Sequence, residues 1–163
     1  MLTVEYTLPA ELRADILALA QEELHPQGAS VAALQLVQSH FRWISSQHLQ
    51  EVAQLLDMSP DALDGIATYF NLLFRQPVGR HVIMLCNSVS CWLMGRDRLC
   101  AHLRQTLGIH PGETTPDGAI TLLPTVCLGH CDHAPALLAD ETLHGDLDTD
   151  ALDRLIGSLR ETP

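Results

Sequence analysis

Four cysteines in the second half of the chain have the residue type and the spacing of a metal-binding set. Cys86 and Cys91 are separated by four residues, and Cys127 and Cys131 are separated by three. Each pair directly follows a short apolar run that predicts a buried strand. Loops that leave neighbouring strand ends can converge on one point, so the spacing indicates a single site built from four thiolates.

Several kinds of site use four thiolates. A [2Fe–2S] cluster usually takes four cysteine ligands, and the small residues Ser88, Ser90 and Gly129 would let backbone N–H groups approach its sulfides. A structural zinc ion also takes four cysteines, although its pairs usually form short knuckles. A thioredoxin-type dithiol needs a Cys-x-x-Cys motif, which is absent. A Rieske centre needs two histidine ligands paired with the cysteines, and no such pairing occurs. Disulfides need an oxidising compartment, which nothing in the sequence supports. Spacing favours iron–sulfur over zinc and leaves zinc open.

The elements that must position these cysteines are expected in residues 68–163, as an α+β domain. Strands are predicted at 69–74, 81–85, 121–123 and 136–138, with Cys91 starting a helix that ends at Leu107 and Gly108, and a last helix starting at Thr149. The order β-β-α-β-β-α suggests helices packed on a small sheet.

A fifth cysteine, Cys100, lies on the helix predicted after Cys91. It shares one helical face with Leu103 and Leu107. This position predicts a small buried hydrophobic residue rather than a functional thiol.

Residues 1–67 predict a small helical bundle with no catalytic pattern. Four amphipathic helices are expected, starting near Pro9, Ser30, Ser46 and Ser59. Their apolar faces would carry Leu12, Ile16 and Leu19; Val31, Leu34, Val37 and Phe41; Leu49, Val52, Ala53 and Leu56; and Leu63, Ile66 and Ala67. We expect this bundle to be a docking region for a partner, the alternative being that it only caps the sheet.

Composition argues against several classes of function. The formal net charge is −11, from 20 acidic and 9 basic residues, which disfavours binding to nucleic acid or to an anionic membrane surface. No signal or transit segment is recognisable, and apolar stretches stay far below the ~20 residues of a membrane span. No Gly-x-Gly pair or Ser/His/Asp-like signature occurs, so an isolated enzyme with a nucleotide site is not expected.

Three stretches of sequence resemble one known family. Residues 74–83 (FRQPVGRHVI), followed by the first cysteine pair, and residues 122–132 (LLPTVCLGHCD) are similar to the E subunit of bacterial NADH:quinone oxidoreductase, a thioredoxin-like [2Fe–2S] ferredoxin of respiratory complex I. Residues 111–118 (PGETTPDG) match as well. The likeness runs from about residue 30 to the C-terminus, and His130 departs from it where the family often has a residue such as Asn.

The resemblance implies a helical N-terminal part followed by a thioredoxin-like domain that binds one [2Fe–2S] cluster. Cys86, Cys91, Cys127 and Cys131 would be its ligands, which makes the zinc alternative minor. The chain would be an electron-transfer subunit, not catalytic alone. It would exchange one electron with the FMN of a partner subunit that also carries the NADH site and a [4Fe–4S] cluster. A large iron–sulfur subunit would be a second partner.

The resemblance leaves more than one complex open. The same module is similar to the small subunit of NAD-dependent formate dehydrogenases and bidirectional hydrogenases, although residues 74–83 favour the quinone-reducing complex. A third alternative is an interaction module with a structural zinc ion. For the favoured complex, a cytoplasmic location is expected, as a peripheral part at the inner face of the cytoplasmic membrane.

Overall fold

A computed structural model describes residues 7–161 and shows two compact units, the first ending at Pro77 and the second beginning at Val78. The part of the first unit that is described consists of helices, and the second unit carries a four-stranded sheet with three α-helices. The predicted α+β class, with a helical N-terminal part, is confirmed. The domain boundary expected at residues 67 and 68 stays a prediction; residues 68–77 lie in the first unit.

The first unit contains four α-helices and one 3-10 helix within its described residues, 7–77. Two of the α-helices begin with a serine cap, which satisfies N–H groups that the first turn leaves free. Ser45 accepts a hydrogen bond from the His48 backbone N–H at 3.0 Å, and Ser59 accepts one from the Ala62 N–H at 3.2 Å. The elements are α1 (Ala10–Glu22), a 3-10 helix (Pro26–Ala29), α2 (Ser30–Phe41), α3 (Ser46–Leu55) and α4 (Pro60–Tyr69).

The expected apolar faces form one core in this unit. Every residue predicted on the face of the third helix is buried, and the other three faces contribute at least two buried residues each. Leu19, Phe41 and Ile66 are only partly buried and pack at its edge. The largest fully buried side chains are Ile16, Leu34, Ile44, Leu56 and Leu63. Leucine, isoleucine, valine and alanine therefore supply this core, as the low aromatic content requires.

Two local predictions in this unit are wrong. Ser30 does not cap α2, because the 3-10 helix runs directly into it and the Ser30 hydroxyl donates to the Gln27 carbonyl at 2.5 Å instead. The strand expected at 69–74 is absent: Tyr69 ends α4, and residues 70–74 form a turn and irregular structure. The Gln38 side chain hydrogen-bonds to the backbone of this segment. It accepts from the Phe74 N–H at 2.6 Å and donates to the Leu72 carbonyl at 2.7 Å.

The second unit contains a mixed sheet with strand order β2-β1-β3-β4. The central strand β1 (His81–Cys86) is buried along its whole length and runs parallel to β2 (Ile120–Thr125). On its other side, β1 pairs antiparallel with β3 (Leu137–Ala139), which continues through a turn into β4 (Thr142–His144). Because β1 and β2 are parallel, their carboxyl ends lie at the same edge, where Cys86 pairs with Thr125.

The helices of the second unit differ from the prediction in one place. The single helix expected from Cys91 to Leu107 is broken into α5 (Val89–Leu93) and α6 (Arg96–Leu107). Gly95 lies between them with φ +97°, a left-handed conformation that ends one helix and starts the next at a new angle. Gly108 ends α6 as expected, also left-handed at φ +70°.

The helix α7 (Thr149–Glu161) packs with α6 on the core of the second unit. Leu152 and Ile156 are buried there, and Cys100 on α6 packs half-buried at the same core, as its helical face predicted. None of the helices within residues 7–161 combines the length and the apolar character needed to cross a membrane.

Candidate metal centre

The parallel pairing of β1 and β2 brings two cysteine loops to one edge of the sheet. Cys86 is the last residue of β1, and Cys127 follows the end of β2 by two residues. The Asn87 N–H donates to the Thr125 carbonyl at 2.8 Å, so the pairing extends into the first loop. On the other side of the strand, the Cys86 N–H donates to the Ala136 carbonyl at 3.1 Å. Both loops therefore start from fixed positions.

The first pair of sulfurs is buried. Cys86 and Cys91 are 2% and 1% exposed and pack with Ala134, Ala136 and Leu128 in a small apolar cluster. Cys91 is the third residue of α5, so the expectation of a helix start beside it is met by the structure. The Ser88 hydroxyl lies 3.3 Å from the Cys86 sulfur.

The second pair of sulfurs is exposed to solvent. The Sγ atoms of Cys127 and Cys131 lie 3.5 Å apart. Two thiolates on one tetrahedral metal, with metal–sulfur bonds of ~2.3 Å, would lie about 3.8 Å apart. Gly129 adopts φ +77° between them, which aims its N–H at the Cys127 sulfur over 3.4 Å. The pair already has nearly the separation of two ligands on one metal.

Serine side chains of the first loop act on the sulfurs of the second. Ser88 and Ser90 lie on the first loop, and they lower the pKa of Cys127 and of Cys131, respectively, on the second. The small residues expected near the sulfurs are therefore in place. The four sequence-predicted cysteines meet at one site.

Within each pair the two thiols differ in acidity. Burial by itself would raise the pKa of Cys86, but hydrogen bonds from Ser88 and from the Leu128 backbone hold that pKa below its ordinary value. Burial raises the pKa of Cys91. The Gly129 N–H lowers the pKa of Cys127, and the hydrogen bond with Cys127 raises the pKa of Cys131. Each pair thus combines one thiol of lowered pKa with one of raised pKa.

The four cysteines are arranged as two pairs. A zinc ion would need all four sulfurs around one centre, whereas a [2Fe–2S] cluster takes two sulfurs on each iron. A paired arrangement is therefore the one that a binuclear cluster would use.

Two residues that contact the loop of Cys131, Gly145 and Asp146, were missed by the sequence-based prediction. The rings of His130 and His133 stack with centroids 4.6 Å apart, and His133 Nδ1 lies 2.6 Å from a carboxylate oxygen of Asp146. That carboxylate raises the pKa of His133. Gly145 lies against the His130 ring and the Cβ of His133. The two histidines are visible in the sequence, but Asp146 and Gly145 are distant from them along the chain and nothing in their spacing marks them.

Exposed apolar side chains surround the site. All of them come from α5, from the residue after it, or from the residue before Cys127. Their exposed fractions run from 57% to 71%. We refer to this set as the apolar rim: Val89, Trp92, Leu93, Met94 and Val126. Large apolar side chains left in solvent around one site are typical of a protein–protein contact.

Comparison with known proteins places this geometry in a family. The sequence model of the thioredoxin-like [2Fe-2S] ferredoxins matches residues 16–160. The E subunit of NADH-quinone oxidoreductase from Escherichia coli is 41% identical over 140 residues, covering 83% of this chain and 84% of that protein. The corresponding protein of Pseudomonas aeruginosa is 39% identical over 140 residues with the same coverage. An E subunit of the Rhizobium meliloti NADH-quinone oxidoreductase is 40% identical over 149 residues, covering 91% and 89%.

A solved structure has the same fold. NAD+-reducing [NiFe]-hydrogenase in its H2-reduced state superposes with a TM-score of 0.71 at 27% identity. The match covers 83% of this chain but only 22% of the hydrogenase chain, so this protein spans about a fifth of that chain's length. Sequence and fold lead to the same conclusion: the chain belongs to the thioredoxin-like [2Fe–2S] ferredoxin family.

Proposed function

We propose that this protein is the electron-transfer subunit of an NADH:quinone oxidoreductase and holds one [2Fe–2S] cluster on Cys86, Cys91, Cys127 and Cys131. The observation that carries the proposal is the meeting of two sulfur pairs at the carboxyl ends of two parallel strands. The relatives from NADH-quinone oxidoreductases, at about 40% identity over most of both chains, support the same function.

The chain's own residues would give the two irons different surroundings. Cys86 and Cys91 would hold one iron in the apolar cluster, and Cys127 and Cys131 would hold the other at the surface. When bound, the cluster supplies a site that accepts and returns one electron. Hydrogen bonds from the Ser88 hydroxyl and the Gly129 N–H to the sulfurs offset negative charge, which makes an electron easier to add.

The electron would come from a partner rather than from NADH bound to this chain. No Gly-x-Gly nucleotide fingerprint is present in the sequence, so the NADH and FMN sites, with a [4Fe–4S] cluster, belong to a partner subunit in this proposal. The apolar rim around the exposed sulfur pair is the surface we assign to that contact. A large iron–sulfur subunit would be a further partner. The complex would place this chain at the inner face of the cytoplasmic membrane as a peripheral part.

A second candidate is the equivalent subunit of an NAD+-reducing hydrogenase. The fold match to that enzyme supports it. The identity to the hydrogenase chain is 27%, against 39% to 41% for the NADH-quinone oxidoreductase relatives over similar coverage. The difference favours the quinone-reducing complex.

The proposal is tested first by spectroscopy. Purified protein should contain two irons and two acid-labile sulfides per chain, absorb visible light, and give a paramagnetic signal after one-electron reduction. A colourless protein with one zinc would contradict it.

The partner is tested by adding NADH. The protein alone should not be reduced by NADH, whereas the protein mixed with the flavin subunit should be. Reduction by NADH without any flavin protein would contradict the assignment of the nucleotide site to a partner. Co-purification of the tagged protein with a hydrogenase large subunit instead of quinone-linked subunits would favour the second candidate.

A further inference from the structure

The loop that carries Cys131 is tied to residues 145–147, the segment that follows β4. The Asp146 N–H donates to the His133 carbonyl at 2.7 Å, and the Leu147 N–H donates to the Pro135 carbonyl at 3.2 Å. The Asp146 carboxylate lies 2.6 Å from His133 Nδ1. Two backbone bonds and one side-chain bond therefore connect two segments that are far apart in sequence.

Gly145 sets how closely these two segments approach. A Cβ atom added at Gly145 would lie 2.6 Å from the Cβ of His133 and 2.7 Å from both Cδ2 and Nε2 of His130. Carbon atoms do not approach so closely without displacement. The backbone at Gly145 is not left-handed, so the space, rather than the backbone conformation, requires glycine here. The His130 ring, which stacks on that of His133, and the Cβ of His133 fill the place that a side chain would take.

The two halves of the cysteine site differ in how they are supported. Cys86 and Cys91 lie on a buried strand and a helix, inside an apolar cluster. Cys131 opens the short 3-10 helix Cys131–His133, which has no buried residue. A loop without a core of its own must be positioned by contacts from elsewhere, and the 145–147 segment supplies them.

We propose that the 145–147 segment is a positioning element for the exposed half of the cluster site, with Gly145 giving the room in which the two histidine rings stack and Asp146 fixing the loop that presents Cys131. This inference rests on the proposed function, because it treats Cys127 and Cys131 as ligands. None of the three residues is a ligand itself; each acts through the position of Cys131. Residues that orient metal ligands from behind typically change metal affinity by roughly 10-fold to 100-fold when replaced.

The main test is Gly145→Ala in the full chain, with Gly157→Ala as the matched control. Gly157 lies on α7, and an added Cβ there meets nothing within 4 Å. Gly145→Ala should change the visible circular dichroism and the paramagnetic signal of the cluster, and should release iron to a chelator about 10-fold faster or more. Gly157→Ala should match the unmodified protein. Gly145→Ala behaving like Gly157→Ala would overturn the inference.

Two further substitutions, each combined with Gly145→Ala, distinguish a steric clash at residue 145 from a general loss of folding. His130→Ala removes two of the three atoms nearest to the added Cβ, so it should partly restore the cluster signal and slow iron release in Gly145→Ala. His133→Ala leaves all three in place, since its own Cβ remains, and should restore nothing. Equal rescue by both variants, or rescue by neither, would overturn the steric role.

The Asp146 contact is tested without adding atoms, so it remains informative if Gly145→Ala does not fold. Asp146→Ala should speed iron release, while Asp146→Asn, which keeps an acceptor oxygen and tolerates the local φ of +51°, should restore most of the retention. Unfolding midpoints measured alongside should differ less than the release rates. Equal release from Asp146→Ala and the unmodified protein would refute the role of Asp146. An unmodified protein without any cluster would instead refute the proposed function.

Discussion

At the residue scale, the pKa values of the four thiols affect how metal binding depends on pH. Hydrogen bonds lower the pKa of Cys86 and of Cys127, while Cys91 and Cys131 have raised pKa values. Ligation requires all four as thiolates, so metal binding has to displace the protons of any cysteines that are still thiols. Cluster loading should therefore release protons and become weaker as pH falls.

Replacing a single ligand tests the assignment directly. Cys86→Ala, Cys91→Ala, Cys127→Ala and Cys131→Ala should each lose most of the bound iron, because each removes one of four thiolates. Cys100→Ala should keep full iron content, since Cys100 packs on the hydrophobic core rather than at the site. Iron and sulfide analysis with the visible spectrum measures both. A loss of cluster in Cys100→Ala, or full occupancy in one of the other four variants, would contradict the assignment.

Residue type and spacing were enough to propose the four cysteines as one metal-binding set and to note the small residues Ser88, Ser90 and Gly129 beside them. They were not enough to identify Gly145 or Asp146. Their contacts with His130 and His133 arise only because the chain passes through β3 and β4 and returns to the loop. The spacing of residues along the sequence does not indicate that these two segments lie close together in the fold.

At the element scale, the start of α3 shows how narrowly a helix boundary is defined. Apolar periodicity pointed to Ser46, whereas the structure places the cap at the preceding residue, Ser45. The Ser45 hydroxyl accepts from the His48 N–H, and His48 Nδ1 accepts from the Ser45 N–H at 3.3 Å, which together form a capping box.

Two alanine substitutions distinguish these neighbouring serines. Ser45→Ala should lower the free energy of unfolding by about 1 kcal/mol, because the first turn of α3 loses its cap inside a buried region. Ser46→Ala is the control, since Ser46 is exposed within the first turn and should change stability little. Urea unfolding followed by circular dichroism gives both values. An equal loss in the two variants would show that α3 is not capped as described.

The same capping box makes the first unit sensitive to acid. His48 is buried and its ring stacks on Phe41 at 4.1 Å, and burial lowers its pKa below the ordinary value. Between the ordinary pKa, ~6.5, and the lower folded value, the unfolded chain binds more protons than the folded one. The stabilising contribution is therefore complete above about pH 6.5 and is lost as pH falls below it.

His48→Gln should reduce this pH dependence, because glutamine keeps the capping box but does not titrate. The measurement is urea unfolding between pH 7.5 and 5, with the exposed His25→Gln as control. The acid-side loss of stability should be smaller in His48→Gln and unchanged in His25→Gln. An identical slope in all three proteins would refute the role of His48.

The elements that could be predicted from the sequence were those with a strong apolar periodicity or a continuous apolar run. The long amphipathic helices and the all-buried strand β1 were predicted within a few residues. The strand β4 has three residues and no buried one, so it carried no apolar signal. Residues 69–74 have strand-like composition, but the Gln38 side chain and the Ile44 N–H occupy backbone groups that a strand would need.

At the scale of the whole molecule, two surfaces are candidates for the contact with the partner subunit. One is the apolar rim around the cysteine site, and the other is the helical first unit that the sequence predicted as a docking region. That unit also exposes large apolar side chains, with Leu24 at 91% and Tyr69 at 82%. Exposed apolar side chains contribute most to binding where the partner covers them completely. A charged residue placed at the centre of such a contact should therefore weaken binding strongly.

Aspartate substitutions compare these surfaces. Leu93→Asp on the rim should weaken association with the flavin subunit by about 10-fold or more, with an unchanged cluster spectrum. Gln105→Asp adds the same charge at an exposed position of α6 and should have little effect. Tyr69→Asp tests the first unit in the same way. Binding measured by calorimetry decides between them: a loss only in Tyr69→Asp would move the contact from the rim to the helical unit.

The unequal exposure of the two sulfur pairs gives damage a direction. Cys127 and Cys131 are exposed, whereas Cys86 and Cys91 are buried. In the proposed function, an iron held by the exposed pair would be the one that peroxide or a chelator in solution reaches first. An iron held by the buried pair would be shielded from both. Damage to the cluster would therefore be expected to begin at the exposed pair.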